Sequence, residues 1–174
     1  VINKQLDRLN WFSDETSYTF TDMVDSISKF TAAGQDLDVS VKAIEGIATW
    51  AALSGQNATV ASRAMYQLAQ AMGKGYIQLI DWKSIENANM GTIEFKNTVL
   101  ETAAAMNILT KSGSEYISKT GKKITAANFS ESLSDKWFTG DVLTKSLEKY
   151  SAAVDKIYDI SEKEGITASE VIRR

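Results

Sequence analysis

Along most of the chain, apolar residues recur at helical spacing and are interrupted about once per helix length by a capping residue or a glycine. Thr19 and Asp22 form a capping signal, and Phe20, Met23, Val24, Ile27 and Phe30 then mark one apolar stripe that runs to Gly34. Asp36 or Asp38 opens a second helix with the stripe Val41, Ile44, Ile47, Ala48 and Ala51, ending at Gly55 as a left-handed cap. Its alanine-rich face predicts close packing against a neighbour. Asn57 is placed to cap a third helix, with Val60, Ala61, Ala64, Leu68, Ala71 and Met72 on its apolar side. Arg63, Gln67 and Gln70 fall on the opposite side, and Gly73 ends the helix. After the Gly73-Lys74-Gly75 turn, Asp81 is placed to cap a short helix through Trp82, Ile85 and Ala88. Gly91-Thr92 then restarts the chain into Phe95, Val99, Ala103 and Met106.

Between Ile108 and Ile124 the pattern changes. Ser112-Gly113-Ser114 and Thr120-Gly121 are turn chemistry beside Ile108-Leu109 and Tyr116-Ile117, which predicts a small β-hairpin. Helical spacing returns at Phe129 and Leu133. It then continues through Val142, Leu143, Leu147, Tyr150, Val154, Ile157 and Tyr158, with Thr139 as the cap of this long helix. The expected fold class is all-α: a compact multi-helix array of αα-hairpins with one short β-hairpin near residues 108–124. Residues 1–174 read as a single helical domain with a hinge at 108–124. Thr167 and Glu170 form a capping box that would start a further helix. Together with the initial Val1 and the closing Arg173-Arg174, this suggests a fragment of a longer chain.

Composition narrows the chemistry. The 174 residues include no Pro, where average usage of ~5% would give about nine, and Pro is the residue least tolerated inside helices. There is no Cys and no His, which removes disulfides, thiol nucleophiles, imidazole bases and Cys/His zinc sites. The 19 Lys and Arg against 22 Asp and Glu give a net charge of -3, opposite to the footprint of a duplex-binding domain. No apolar run approaches the ~18 residues of a membrane-spanning helix.

Paired carboxylates are the remaining catalytic option. Hydrolysis of a glycosidic bond needs two acids whose surroundings separate their pKa values. Asp81 with Glu86, or Glu45 with Glu101, can be nominated, but cap and solvated-face positions explain these acids better. Gly73-Lys74-Gly75 lacks the spacing of a phosphate loop. Asp36 and Asp38 lack the glycine and terminal Glu of a calcium loop. No metal and no cofactor is implied. Trp11, Trp50, Trp82 and Trp137, with Tyr66, Tyr76 and Tyr116, are not interleaved with basic residues as a stacking surface requires. They read as core or interface anchors, with Trp82 beside Lys83 as the one expected to be partly exposed.

The stretch from Gly55 to Gly75 contains Asn57-Ala58, Ala61-Ser62-Arg63-Ala64-Met65-Tyr66-Gln67-Leu68 and Gln70-Ala71. It continues into Leu79-Ile80-Asp81-Trp82-Lys83-Ser84-Ile85-Glu86-Asn87-Ala88. This block resembles the tape measure proteins of long-tailed bacteriophages and prophages. The likeness extends over roughly residues 12–172, including Lys29 to Gly34, Val142 to Tyr150 and Ile166 to Glu170. It implies a non-enzymatic virion protein that sets tail length, takes part in tail assembly and leaves at genome ejection. The location it implies is the virion tail, with the host cytoplasm during assembly. The partners it implies are other tape measure copies, tail tube and tail-tip (distal tail) proteins and tail assembly chaperones, with the host envelope at ejection and no specific nucleic-acid binding. No catalytic residue carries over. Within the resembling block, Gln67, Gln70, Lys74, Trp82, Lys83 and Asn87 form the expected partner-contact face. A generic helical protein–protein interaction domain and a peptidoglycan-degrading domain are the competing readings, separable by genomic neighbours and by zymography.

Overall fold

The computed structural model describes residues 20–165, apart from 33, 55 and 57. The signals read at Trp11, Thr19, Gly55, Asn57, Thr167 and Glu170 lie outside the described residues. Helix α1 spans Phe20–Ala32, α2 Leu37–Leu53, α3 Ala58–Lys74, α4 Leu79–Asn87 and α5 Ile93–Ala105. Three strands follow: β1 Thr110–Ser112, β2 Glu115–Ile117 and β3 Lys123–Ile124. A short helix α6, Phe129–Ser132, runs into a 3-10 turn at Leu133–Asp135. The 25-residue α7, Gly140–Glu164, is the last element among the described residues.

Helix α2 is the centre. Among its described side chains between Ser40 and Ala51 only Lys42 is exposed, and a helix buried nearly all round belongs inside a core. The buried hydroxyls of Ser40 and Thr49 donate back to the carbonyls of Asp36 and Glu45, both at 2.8 Å, which satisfies them within the chain's own turn. Helices α1, α3 and α7 pack on α2. Helices α1 to α4 pair consecutively, but the most extensive contact joins α2 to α7, far apart in sequence. The expected array of hairpins is therefore closed by a long-range partner.

Gly46 makes that closure possible. A Cβ built there would lie 2.5 Å from the Leu147 carbonyl oxygen and 3.0 Å from Leu147 Cβ, so only a bare Cα lets the α7 backbone come this near. The close packing expected of the alanine-rich helix is thus centred on a glycine inside it.

The turn after α3 is set by Gly75, with φ +96°, in the left-handed region that is cheap for glycine. Gly73, expected to end α3, is instead helical, and the helix runs one residue further to Lys74. The turn is also stitched to the entry of α7. Ile77 N–H donates to Phe138 O (2.8 Å), Gly140 N–H donates to Gly75 O (3.1 Å), and Tyr76 pairs with Thr139 in an isolated antiparallel bridge. Thr92 caps α5 by accepting from Phe95 N–H at 3.2 Å, and Thr139 accepts from Val142 N–H at 3.2 Å, as the sequence pattern predicts for both.

The region expected to hold one hairpin forms a three-stranded antiparallel sheet in the order β1-β2-β3, so the fold is mainly helical rather than strictly all-α. Tyr116 stands opposite both Lys111 and Ile124. The third strand forms because Ile124 returns from the Gly121 turn with its side chain inward, where it joins Leu109 and Tyr116 in the core. The β2–β3 turn is held by its own polar groups. Lys122 N–H donates to Ser118 Oγ (3.1 Å), and the Thr120 hydroxyl lies 2.9 Å from Ser118 Oγ and 2.8 Å from Asp135 Oδ2 on the 3-10 turn. Hydrogen bonds from Ser118 and Thr120, with Lys122 close by, hold the Asp135 carboxyl below the usual carboxylate range.

Gly46→Ala should destabilise by roughly 1–3 kcal/mol through overpacking, despite alanine's better helix propensity. Gly73→Ala, where a Cβ meets nothing within 4 Å, should be neutral or stabilising by up to about 1 kcal/mol. Urea denaturation of the two variants checks the contrast. Because the folded-state pKa of Asp135 is depressed, its contribution to stability is complete above the ordinary value of 3.8 and is lost as pH falls through the lower folded value. Below pH 3.8, the urea midpoint of the wild type should therefore fall more steeply than that of Asp135→Asn.

Candidate functional site

The expected contact face is carried by the α3–α4 hairpin, which is held at its closed end by Asp81. The Asp81 carboxylate accepts from Lys74 Nζ at 3.0 and 3.2 Å and from the Gln78 backbone N–H at 3.0 Å. Asp81 does not cap α4 from outside, as its position in the sequence suggested. The helix begins two residues earlier, at Leu79, so Asp81 sits in the first turn and reaches back to the residue before the helix. Its side chain is 4% exposed, whereas that of Lys74 is 43% exposed. Lys74 is therefore committed to the clamp although its side chain is only half-buried.

Trp82 is 0% exposed, which overturns the expectation of a partly exposed anchor. Trp82 and Ile85 are three residues apart on one helical face, and that face closes on the core. The indole packs on Phe95 (6.0 Å between centroids), Phe129 (4.7 Å) and Phe138 (6.4 Å). Lys83, about 100° round the helix, is exposed.

Of the remaining predicted residues, Gln67 and Asn87 come together. They line an open groove of about 640 Å³ between α3 and α4, with Thr59, Val60, Arg63, Ala64, Tyr66, Ser84 and Ala88. Gln70 faces the other way, into a shallower hollow between α1 and α3 beside Ala32, Ala69 and Gly73. Tyr66 separates the two hollows, 44% exposed, with Lys29 Nζ 4.7 Å above its ring. Ile80, on the outside of α4, is 71% exposed. The face thus presents Ile80 and Tyr66 as its apolar features in place of Trp82. Ile80 was missed although the period signals it: it lies two residues, about 200°, from Trp82 and so falls off the core stripe.

Against this geometry, comparison with known proteins is informative: a family described as tape measure protein matches residues 1–136. The chain belongs to the tape measure protein family. No curated protein and no solved structure matches it significantly. Membership carries a structural role in a phage tail. The matched span takes in the whole α3–α4 hairpin and ends before α7, so the likeness expected at Val142 to Tyr150 and Ile166 to Glu170 lies outside it.

The acids nominated from this tape measure chain do not assemble a shared site. Asp81 and Glu86 are five residues apart on one helix and so about 140° apart around it. Asp81 is buried in its clamp, while Glu86 is exposed and accepts from Ser130 Oγ at 3.2 Å. Glu45 is buried in α2, whereas Glu101 is exposed on α5. The described residues lining the groove include no carboxylate. Among the described residues no cluster of three or more acids could hold a metal ion, and no helix is long and apolar enough to cross a membrane.

Asp81→Ala should cost roughly 1–2 kcal/mol, because it leaves the Gln78 N–H without its acceptor as well as removing the ion pair. Lys74→Met should cost less than about 1 kcal/mol, since a half-exposed ammonium contributes little. Equal losses in chemical denaturation would show that the ion pair, not the helix-start hydrogen bond, is the dominant link.

Proposed function

We propose that this chain is a non-enzymatic structural module of a long-tailed phage virion, acting in tail-length determination, tail assembly and genome ejection through protein contacts alone. The observation that carries this reading is the tape measure family match over residues 1–136. The architecture supports a module rather than a measuring rod. A continuous helix of 174 residues would extend about 260 Å at 1.5 Å per residue, whereas the longest described helix has 25 residues and folds back onto α2.

The contact face we assign is the outer side of α4, with Ile80 as its apolar anchor and the exposed Lys83 three residues on along the same helix. A large apolar side chain 71% exposed on a nine-residue helix gains most from being covered. Its partners are another tape measure copy, tail tube or tail-tip proteins, and assembly chaperones while the tail is built in the host cytoplasm.

In a phage carrying Ile80→Asp with Lys83→Glu in this chain, tail yield and infectivity should fall by about tenfold or more, as expected for loss of an interface anchor. The purified variant should keep the wild-type circular dichroism spectrum and melting temperature. Normal tails and normal plating from a folded variant would rule out this face. Peptidoglycan release in a zymogram, abolished by Glu86→Gln, would rule out the non-enzymatic reading.

A further inference from the structure

Charge is unevenly placed along the chain. Residues 110–124, which form the three-stranded sheet and its turns, hold Lys111, Lys119, Lys122 and Lys123 against the single acid Glu115, a net +3, so the other residues together carry -6 to reach the chain's -3. All four lysines are exposed. Asp135, which accepts from Thr120 on the β2–β3 turn, is followed by Lys136, and the two charges offset each other. The net charge of the whole chain therefore hides a cationic region.

The register divides the sheet into two faces. Directly paired residues share a face, so Tyr116 and Ile124 fill the inner one, while Thr110, Ile117 and Lys123 line up across the outer one with Ser112 and Glu115. Lys119 and Lys122 sit in the turn at its end. That turn is a fixed frame: Gly121 holds φ +86° and donates its N–H to Ser118 O at 2.9 Å, and Ser118 N–H donates to Lys122 O at 2.9 Å.

We infer that the outer face of the sheet and its β2–β3 turn are a docking surface for duplex DNA, held through the phosphodiester backbone without regard to sequence. Phosphates call for cations and hydroxyl donors, which Lys119, Lys122, Lys123, Thr110 and Ser112 supply. A protein partner would instead need an apolar centre, and a bilayer an apolar side chain to take in. The exposed large apolar residues, Tyr66, Leu79, Ile80 and Ile93, lie on α3, α4 and α5, and the sheet's outer face has only the half-buried Ile117. Single strands are held by stacking on aromatic rings, whereas the sheet's aromatic residue, Tyr116, is buried on the inner face. The inference goes beyond the protein contacts proposed for the tail role. It rests on charge placement, so its failure would leave that role standing.

The test is the fluorescence anisotropy of a labelled 20-base-pair duplex of arbitrary sequence titrated with the full chain. Binding should be measurable at 50 mM salt and roughly fortyfold weaker at 200 mM, the dependence expected for about three neutralised phosphates. Lys119→Gln with Lys122→Gln and Lys123→Gln should weaken it by about tenfold or more. Lys42→Gln with Lys145→Gln and Lys149→Gln, an equal change of charge at exposed positions of α2 and α7, should weaken it by less than about twofold. Both sets alter exposed side chains and should keep the wild-type circular dichroism spectrum. Glu115→Gln, which removes the acid 3.7 Å from Lys123 Nζ, should tighten binding. No binding at 50 mM salt, equal losses in the two triple variants, or binding to polyglutamate or to phosphatidylglycerol vesicles as tight as to the duplex would each overturn the inference.

Discussion

A continuous run of aromatic rings joins parts of the chain that could not hold their own shape. Trp50 of α2 stacks on Phe95 of α5 at 3.6 Å between centroids and 10° between planes. Trp82 of α4 lies between Phe95 and Phe129, and Phe129 meets Trp137 and Phe138 at 5.4 and 5.9 Å. Helices α4 and α6 have nine and four residues, too short to persist in water, where isolated helices below ~12–15 residues are marginal. Their order comes from the rings they contribute. Two of the indoles also fix backbone or side-chain positions: Trp50 Nε1 donates to the Met90 carbonyl at 2.7 Å, and Trp137 Nε1 to Ser132 Oγ at 2.9 Å. Trp82, at the middle of the run, has no hydrogen-bond partner for its buried Nε1. Leaving that donor unmet costs about 1–3 kcal/mol, which the area buried by its three ring contacts offsets.

Much of this was legible in the chain because helix periodicity and capping are local. Thr92, Thr139 and Gly75 act as their types suggest, and the turn residues between 108 and 124 mark the sheet. What local pattern misses is whatever depends on a distant partner. Gly46 looks like a flaw in a helix until Leu147 is brought against it, and nothing within ten residues of either announces the other. Asp81 was placed three positions out, before the helix instead of third within it, because a first-turn acid and a capping acid share the same composition signal; only the Lys74 and Gln78 contacts separate them. Trp82 is more instructive. Its spacing with Ile85 put it on the core stripe, but its neighbour Lys83 drew it towards the surface. On a helix adjacent residues point about 100° apart, so an exposed lysine says nothing about the tryptophan before it.

The tape measure match over residues 1–136 includes the α3–α4 hairpin, where both kinds of demand meet. Residues of α3 and α4 that serve the core or the clamp, such as Leu68, Trp82 and Asp81, are interleaved with residues that face outward, such as Arg63, Gln67 and Ile80. A recognisable motif there reflects both sets. Burial is what separates them: it puts Trp82 in the core and leaves Ile80 outside.

The contact between α2 and α7 also has a consequence for how the protein is made. The face of α2 that carries Gly46 is completed by residues near Leu147, about a hundred positions later in the chain. On a ribosome adding ~5–20 residues per second, that face would stay uncovered for roughly 5–20 s after it emerges, longer than most helices need to form and pair. During this interval Ile44, Ile47 and their neighbours would be an adhesive strip on a nascent chain. The same glycine that permits this close approach thus makes its completion wait on a helix about a hundred residues away.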